Sequence, residues 1–175
     1  MITLSGFGYE QKLKSPLKAF EKTFKNKSFI NGPAVKEFEQ KFKDYVGAED
    51  CVAVSSCTSA LQLSLLALNV GPGDEVITVP YTWVSTVEAI KQVGAKPVFV
   101  DINRDDLCMD VTSVGKQITS NTKAIIPVDL YGNVSNIDIL KKYDLPIVED
   151  AAQSTGAVYK GKRVGSLSHL TCFSF

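Results

Sequence analysis

From Cys51 onward, short runs that are apolar throughout alternate with stretches that are apolar on one face only. Few folds accommodate that alternation. A strand with no polar face is buried on both sides, which points to a parallel sheet with helices covering it front and back. The strand candidates are Cys51–Val54, Glu75–Val79, Pro97–Val100, Ala124–Val128 and Leu145–Val148, with helices at Ser59–Leu68, Val84–Val93, Val111–Ile118 and Ile137–Lys142. Gly71-Pro72-Gly73-Asp74, Gly94, Asn103 and Tyr131-Gly132-Asn133 punctuate them as turns. Right-handed crossovers then leave few topologies. The fold class is α/β, with a mostly parallel sheet and helices on both faces. Ala157–Val164 reads as a hairpin about Lys160-Gly161.

Ahead of this region, Ser15-Pro16 predicts a helix start, with hydroxyl N-cap and proline at the first helical position, running to about Asn26. Gly32-Pro33 opens a second helix that carries Val35, Phe38, Phe42, Tyr45 and Val46 on one face and ends at Gly47. Residues 1–50 thus read as an N-terminal helical segment and 51–175 as the sheet domain.

Nineteen basic residues balance nineteen acidic ones, so neither a polyanion nor a nucleic acid is an expected partner. The stretch from Met1 to Pro16 lacks the apolar core of a secretory signal, and no apolar run is long enough to span a membrane. Cys51, Cys57, Cys108 and Cys172 show no Cys-x-x-Cys spacing, which favours a reducing compartment over a disulfide frame. A cytoplasmic protein is expected.

Ligands of open parallel sheets bind outside the carboxyl ends of the strands. Four segments sit there, each with two readings. Ser55-Ser56-Cys57-Thr58-Ser59 leads into a helix, where free amides would receive a phosphate or a serine would simply cap. Trp83, the single tryptophan, either stacks on a flat ligand or fills core space. Asp150 and Gln153, in Glu149-Asp150-Ala151-Ala152-Gln153, are either a buried carboxylate and an amide facing a pyridine ring or a capping box. Ser174 points away from Phe173 and Phe175, as a phosphate ligand or a solvated hydroxyl. His169 reads as a surface turn residue rather than a metal ligand, and there is no Walker or Gly-x-Gly-x-x-Gly motif.

The order of these blocks along the chain resembles the DegT/DnrJ/EryC1/StrS family of pyridoxal-phosphate-dependent sugar aminotransferases. The resemblance runs from Phe29-Ile30-Asn31-Gly32-Pro33 through Ser55–Leu61, Gly71–Thr78, Thr82-Trp83, Gly94–Asp101, Thr122–Val128 and Leu130-Tyr131-Gly132 to Glu149–Gln153, Tyr159–Gly161, Val164–Ser166 and Phe173-Ser174-Phe175. It implies the large domain of the aspartate-aminotransferase-like fold (type I), incomplete, with the C-terminal small domain absent. By the same resemblance, Cys57 and Thr58 form the phosphate turn, Trp83 stacks on the ring and Asp150 pairs with the pyridine nitrogen. Gln153 lies near the phenolic oxygen, and Ser174 binds the phosphate. Cys57 stands where glycine is common in the family, and Asp129 where many members have histidine. The lysine that holds the cofactor covalently is expected a few residues past Phe175, so no catalytic residue is assigned within the chain, and transaminase activity is expected only of a longer protein.

The resemblance further implies a nucleotide-linked keto sugar as substrate, an amino-acid donor such as glutamate, and a homodimer whose subunits share the active site. Two alternatives remain open at this level. Some family relatives carry histidine in place of the lysine and are deoxysugar dehydratases. The chain could also be a catalytically dead binding or dimerisation module.

Overall fold

The computed structural model describes residues 9–175, with side chains described from Pro16 onward. Of the stretch from Met1 to Pro16, read as lacking a secretory signal, the first eight residues lie outside the described residues. Two helices come first, α1 (Tyr9–Lys25) and α2 (Pro33–Val46). The expected start of α1 at Ser15 is corrected: Pro16 lies inside the helix, where it forfeits one backbone rung. In α2 the proline at the first turn and Gly47 in the left-handed region after the last turn match the sequence signals.

Five parallel strands build the sheet. They are β1 (Glu75–Thr78), β2 (Lys96–Phe99), β3 (Thr122–Ile125), β4 (Val148–Asp150) and β7 (Leu170–Cys172). Hydrogen bonding joins β2, β1 and β3 in that order and pairs β4 with β7. Two parallel bridges, Ile125 to Ile147 and Val128 to Asp150, link the two groups into one surface. The antiparallel hairpin of β5 (Val158–Tyr159) and β6 (Lys162–Arg163) stands apart, where the sequence placed it.

Successive residues of each buried strand face opposite sides, so one strand feeds two cores. On one face Val76, Ala124, Ile126 and Val148 pack against Leu61 and Leu65 of α3 (Cys57–Ala67) and Ala89 and Ile90 of α4 (Val84–Gln92). On the other, Ile77, Ile125 and Ile147 pack against Val111 and Val114 of α5 (Val111–Val114) and Ile137 and Leu140 of α6 (Ile137–Leu140). The sheet with helices on both faces is the architecture read from the sequence.

Several boundaries differ from the expectation. Cys51–Val54 forms no strand: the Cys51 and Ala53 N–H groups donate to the side chains of Asp50 and Glu39 instead of a neighbouring strand. Val52 stays 74% exposed, so apolar composition marked this run without providing a pairing partner. The helix read at Val111–Ile118 stops at Val114, and the one at Ile137–Lys142 passes into a 3-10 turn at Lys141–Tyr143. β4 begins at Val148, three residues later than read, because Ile147 makes only an isolated bridge.

Helix α2 closes the fold by packing on the chain's last residues. The Phe42 ring lies 5.0 Å from both Phe173 and Phe175 in edge-on contact, and Phe38 lies 5.3 Å from Phe175. On the hairpin side, the Arg163 guanidinium stacks 4.1 Å over the Tyr45 ring and donates to the Tyr45 carbonyl. Among the described residues, no helix is long and apolar enough to cross a membrane.

Candidate cofactor site

The strand order dictates where a site can form. Between β4 and the first turns of α3 and α4 lies a cavity of about 340 Å³ lined by Ser56, Cys57, Thr58, Leu61, Trp83, Ser85, Thr86, Asp150, Ala152, Gln153 and Ser174. All six cofactor-binding positions expected from the sequence, namely Cys57, Thr58, Trp83, Asp150, Gln153 and Ser174, therefore share one cavity although they span most of the chain.

Asp150 forms its floor. The last residue of β4, it is only 5% exposed, and burial raises its carboxyl above the ordinary aspartate range. Three donors oppose that shift. The Thr86 hydroxyl donates to Oδ2 at 2.7 Å, the Ala152 N–H to Oδ1 at 3.3 Å, and the Cys57 thiol approaches Oδ1 at 3.9 Å. Thr82 Oγ1 lies 2.9 Å from the Thr86 hydroxyl and completes a relay along the first turn of α4. The capping-box alternative is excluded, since residues 151–156 form turns and no helix follows Asp150.

The start of α3 forms one wall. Ser56 is its N-cap, and its hydroxyl accepts from the Ser59 N–H at 3.1 Å. Ser56 therefore takes the capping role, and the first-turn N–H groups of Cys57 and Thr58 lack intrahelical acceptors, as at every helix start. Both residues line the cavity, at the positive end of the helix dipole. Cys57 is buried with its thiol pushed up by desolvation, so its side chain is inert and its backbone is the useful group.

Trp83 is the residue before α4 and is 74% exposed, which removes the core-filling reading. Its indole lies on the cavity rim. Ser174 also reaches the cavity, because Phe173 and Phe175 both turn to Phe42. It does so just after β7 rather than within a strand. Gln153 accepts the Tyr131 N–H through Oε1 at 3.0 Å.

Sequence reasoning missed Thr86 and Ser85. The signal was present: Thr82 and Thr86 are four apart across a helix start, which sets both hydroxyls on one side. Asp129 is wholly buried beneath the site and absent from the cavity lining. His169 is exposed, and its Nδ1 accepts the Ile147 N–H at 3.2 Å, so it serves the backbone of the sheet.

A carboxylate on the floor, an indole at the rim, and unpaired helix N–H groups beside a serine form a donor set that matches a phosphorylated, protonatable aromatic ring. The cationic ring nitrogen would relieve the desolvated Asp150, and the α3 amides would receive the phosphate. The residues present fit pyridoxal phosphate.

Residues 11–175 match the model of the DegT/DnrJ/EryC1/StrS aminotransferase family. A UDP-2-acetamido-2-deoxy-3-oxo-D-glucuronate aminotransferase of Pseudomonas aeruginosa is 46% identical over 159 residues, 89% of this chain and 44% of the relative. The crystal structure of DesV from S. venezuelae superposes with a TM-score of 0.92 at 38% identity, covering 96% of this chain and 46% of DesV. NtdA from Bacillus subtilis, solved with bound cofactor PMP, gives 0.83 at 31% identity over 92% of this chain and 37% of its own. The chain thus spans less than half the length of each of these proteins. Cavity, sheet order and these likenesses agree: the chain belongs to the DegT/DnrJ/EryC1/StrS aminotransferases, a pyridoxal-phosphate-dependent family with the type I fold.

Proposed function

We propose that this chain builds the cofactor-binding wall of an aminotransferase that moves nitrogen from an amino-acid donor such as glutamate to a nucleotide-linked keto sugar. The observation that carries the reading is the convergence of six residues from four separate chain segments on one cavity with a buried carboxylate at its floor. The family match and the sugar-nucleotide substrate in the name of the Pseudomonas relative support it.

Each residue then has a task. Asp150, tuned by Thr86, holds a proton on the pyridine nitrogen, because losing that proton would strand a carboxylate in a desolvated floor. Trp83 stacks on the ring and keeps water from that face. The Cys57 and Thr58 amides, with the Ser174 hydroxyl, hold the phosphate at the positive end of α3. Gln153 would lie beside the phenolic oxygen. When bound, pyridoxal phosphate supplies the electron sink for the transfer, and the protein orients it and tunes its ring.

Residues 51–175 act as the cofactor-binding part of the large domain, and residues 1–50 form the N-terminal helical segment. The whole protein works in the cytoplasm as a homodimer with a shared active site. The test has two steps. Apo protein is titrated with pyridoxal 5′-phosphate while quenching of Trp83, the single tryptophan, is followed. The whole protein is then given glutamate and a nucleotide-linked keto sugar and the product mass is read. Saturable quenching that Asp150→Asn weakens, together with an aminated sugar nucleotide, is expected. Quenching indifferent to Asp150→Asn would refute the site, and absence of amination the reaction.

A further inference from the structure

The sequence marks Tyr131 as part of a turn and gives it no role at the site. It sits between Leu130 and Gly132 in a 3-10 turn after β3, with φ 57° and ψ 23°, in the left-handed region. A bulky residue held there stores strain and invites a functional reason. Its surroundings hold it in place. The Asp129 N–H donates to the Asp150 carbonyl at 3.0 Å, and the Asn133 N–H closes the turn on the Leu130 carbonyl at 3.0 Å. Gly132, at φ 86°, brings the turn against the Gln153 backbone, where an added Cβ would lie 3.9 Å from the Gln153 carbonyl oxygen.

In this conformation the Tyr131 N–H reaches Gln153 Oε1 at 3.0 Å. A backbone N–H only donates, so the side-chain atom facing it must be the amide oxygen. The amino group Nε2 is then the end left over, and it has no acceptor among the described residues while Gln153 lines the cavity. We infer that the Tyr131 main-chain N–H orients Gln153, turning its amino group rather than its carbonyl into the cofactor cavity. Tyr131 is thus a positioning residue that acts through its backbone. The consequence is selective: a donor faces the phenolic oxygen, and an oxyanion there is stabilised. This rests on the reading of Gln153 as the residue beside that oxygen.

The experiment uses the apo form of the whole protein and pyridoxal 5′-phosphate, with the dissociation constant read from Trp83 quenching. Gln153→Ala is expected to weaken binding roughly tenfold, the scale of one hydrogen bond to a charged acceptor. Gln153→Glu is expected to bind more weakly than Gln153→Ala, because one carboxylate oxygen takes the Tyr131 N–H and the other meets the cofactor's oxyanion. If the amide oxygen faced the cavity, Gln153→Glu would present the same acceptor and bind like the wild type, which overturns the inference. Tyr131→Val, whose branched side chain disfavours the left-handed region, is expected to match Gln153→Ala and to add nothing in the Gln153→Ala background. Additive losses overturn the inference. The Glu-versus-Ala comparison stands even if Tyr131→Val does not fold. A Gln153→Ala protein that binds as tightly as wild type overturns the cofactor role of Gln153, and with it this inference, in a way the other outcomes do not.

Discussion

Beneath Asp150 lie two carboxyl groups that water does not reach. Asp129 and Glu149 are both 0% exposed. Glu149 Oε2 accepts from Ser168 at 2.8 Å and Thr171 at 3.1 Å, while Asp129 Oδ1 accepts the Ser135 N–H at 3.0 Å and Oδ2 the Ser154 hydroxyl at 3.4 Å. Glu149 Oε1 finds no donor unless Asp129 carries a proton towards it. Burial first, and the neighbouring Glu149 charge second, push the Asp129 carboxyl up to about 9. The sign follows. A carboxyl whose folded pKa lies above its unfolded value holds more protons folded than unfolded. Its contribution to stability is complete below the unfolded value near 3.8 and is lost as pH rises through about 9. Within that window the slope is about 1.4 kcal/mol per pH unit. Asp129→Asn keeps an acceptor for the Ser135 N–H and supplies a permanent donor towards Glu149. Its stability relative to wild type should therefore climb between pH 5 and 8 by about 4 kcal/mol at most. Urea unfolding followed by circular dichroism at pH 5, 6, 7 and 8 reads this difference directly, and all unrelated titrations cancel in it. Parallel curves for the two proteins would refute the raised Asp129 carboxyl.

Other expectations follow from the same structure. Asp150→Asn removes the counter-charge from the floor and should weaken pyridoxal phosphate by on the order of a hundredfold, about 3 kcal/mol, with the fold unchanged by circular dichroism. Thr86→Val deletes the 2.7 Å donor to Asp150 and raises that carboxyl further, so the acid limb of cofactor binding, measured by Trp83 quenching against pH, should move to higher pH. Gly165 sits at φ 111°, and an added Cβ would lie 2.7 Å from Val46 Cβ; Gly165→Ala should cost about 2 kcal/mol or more in urea unfolding, since both backbone and α2 must shift. Leu61→Ala, at a fully buried position where α3 meets the sheet, should cost roughly 2–5 kcal/mol in the same assay.

What proved legible in the sequence was whatever depends on near neighbours. The strands at Glu75–Thr78 and Lys96–Phe99, the hairpin about Gly161, and the Pro33 start and Gly47 stop of α2 follow from local apolar pattern and backbone preference. The order of blocks along the chain also resembled the family. Local pattern failed where a partner was required. Cys51–Val54 is as apolar as a strand, yet strandhood needs a neighbouring backbone, and there Asp50 and Glu39 answer the N–H groups instead. The helical spacing in residues 111–118 could not show that the helix ends after one turn.

By itself, then, the sequence determined the alternation, the parallel sheet it demands and the six residues that share the cavity. The tertiary structure alone decided what those residues meet. Thr86 becomes the donor to Asp150 only when the first turn of α4 meets the end of β4, and the Tyr131 N–H finds Gln153 only because two turns touch. The Asp129 carboxyl is raised only once packing excludes water from it. Chain pattern encodes which faces are buried; the electrostatics of a site depend on distances between segments far apart in the chain, and packing sets those distances.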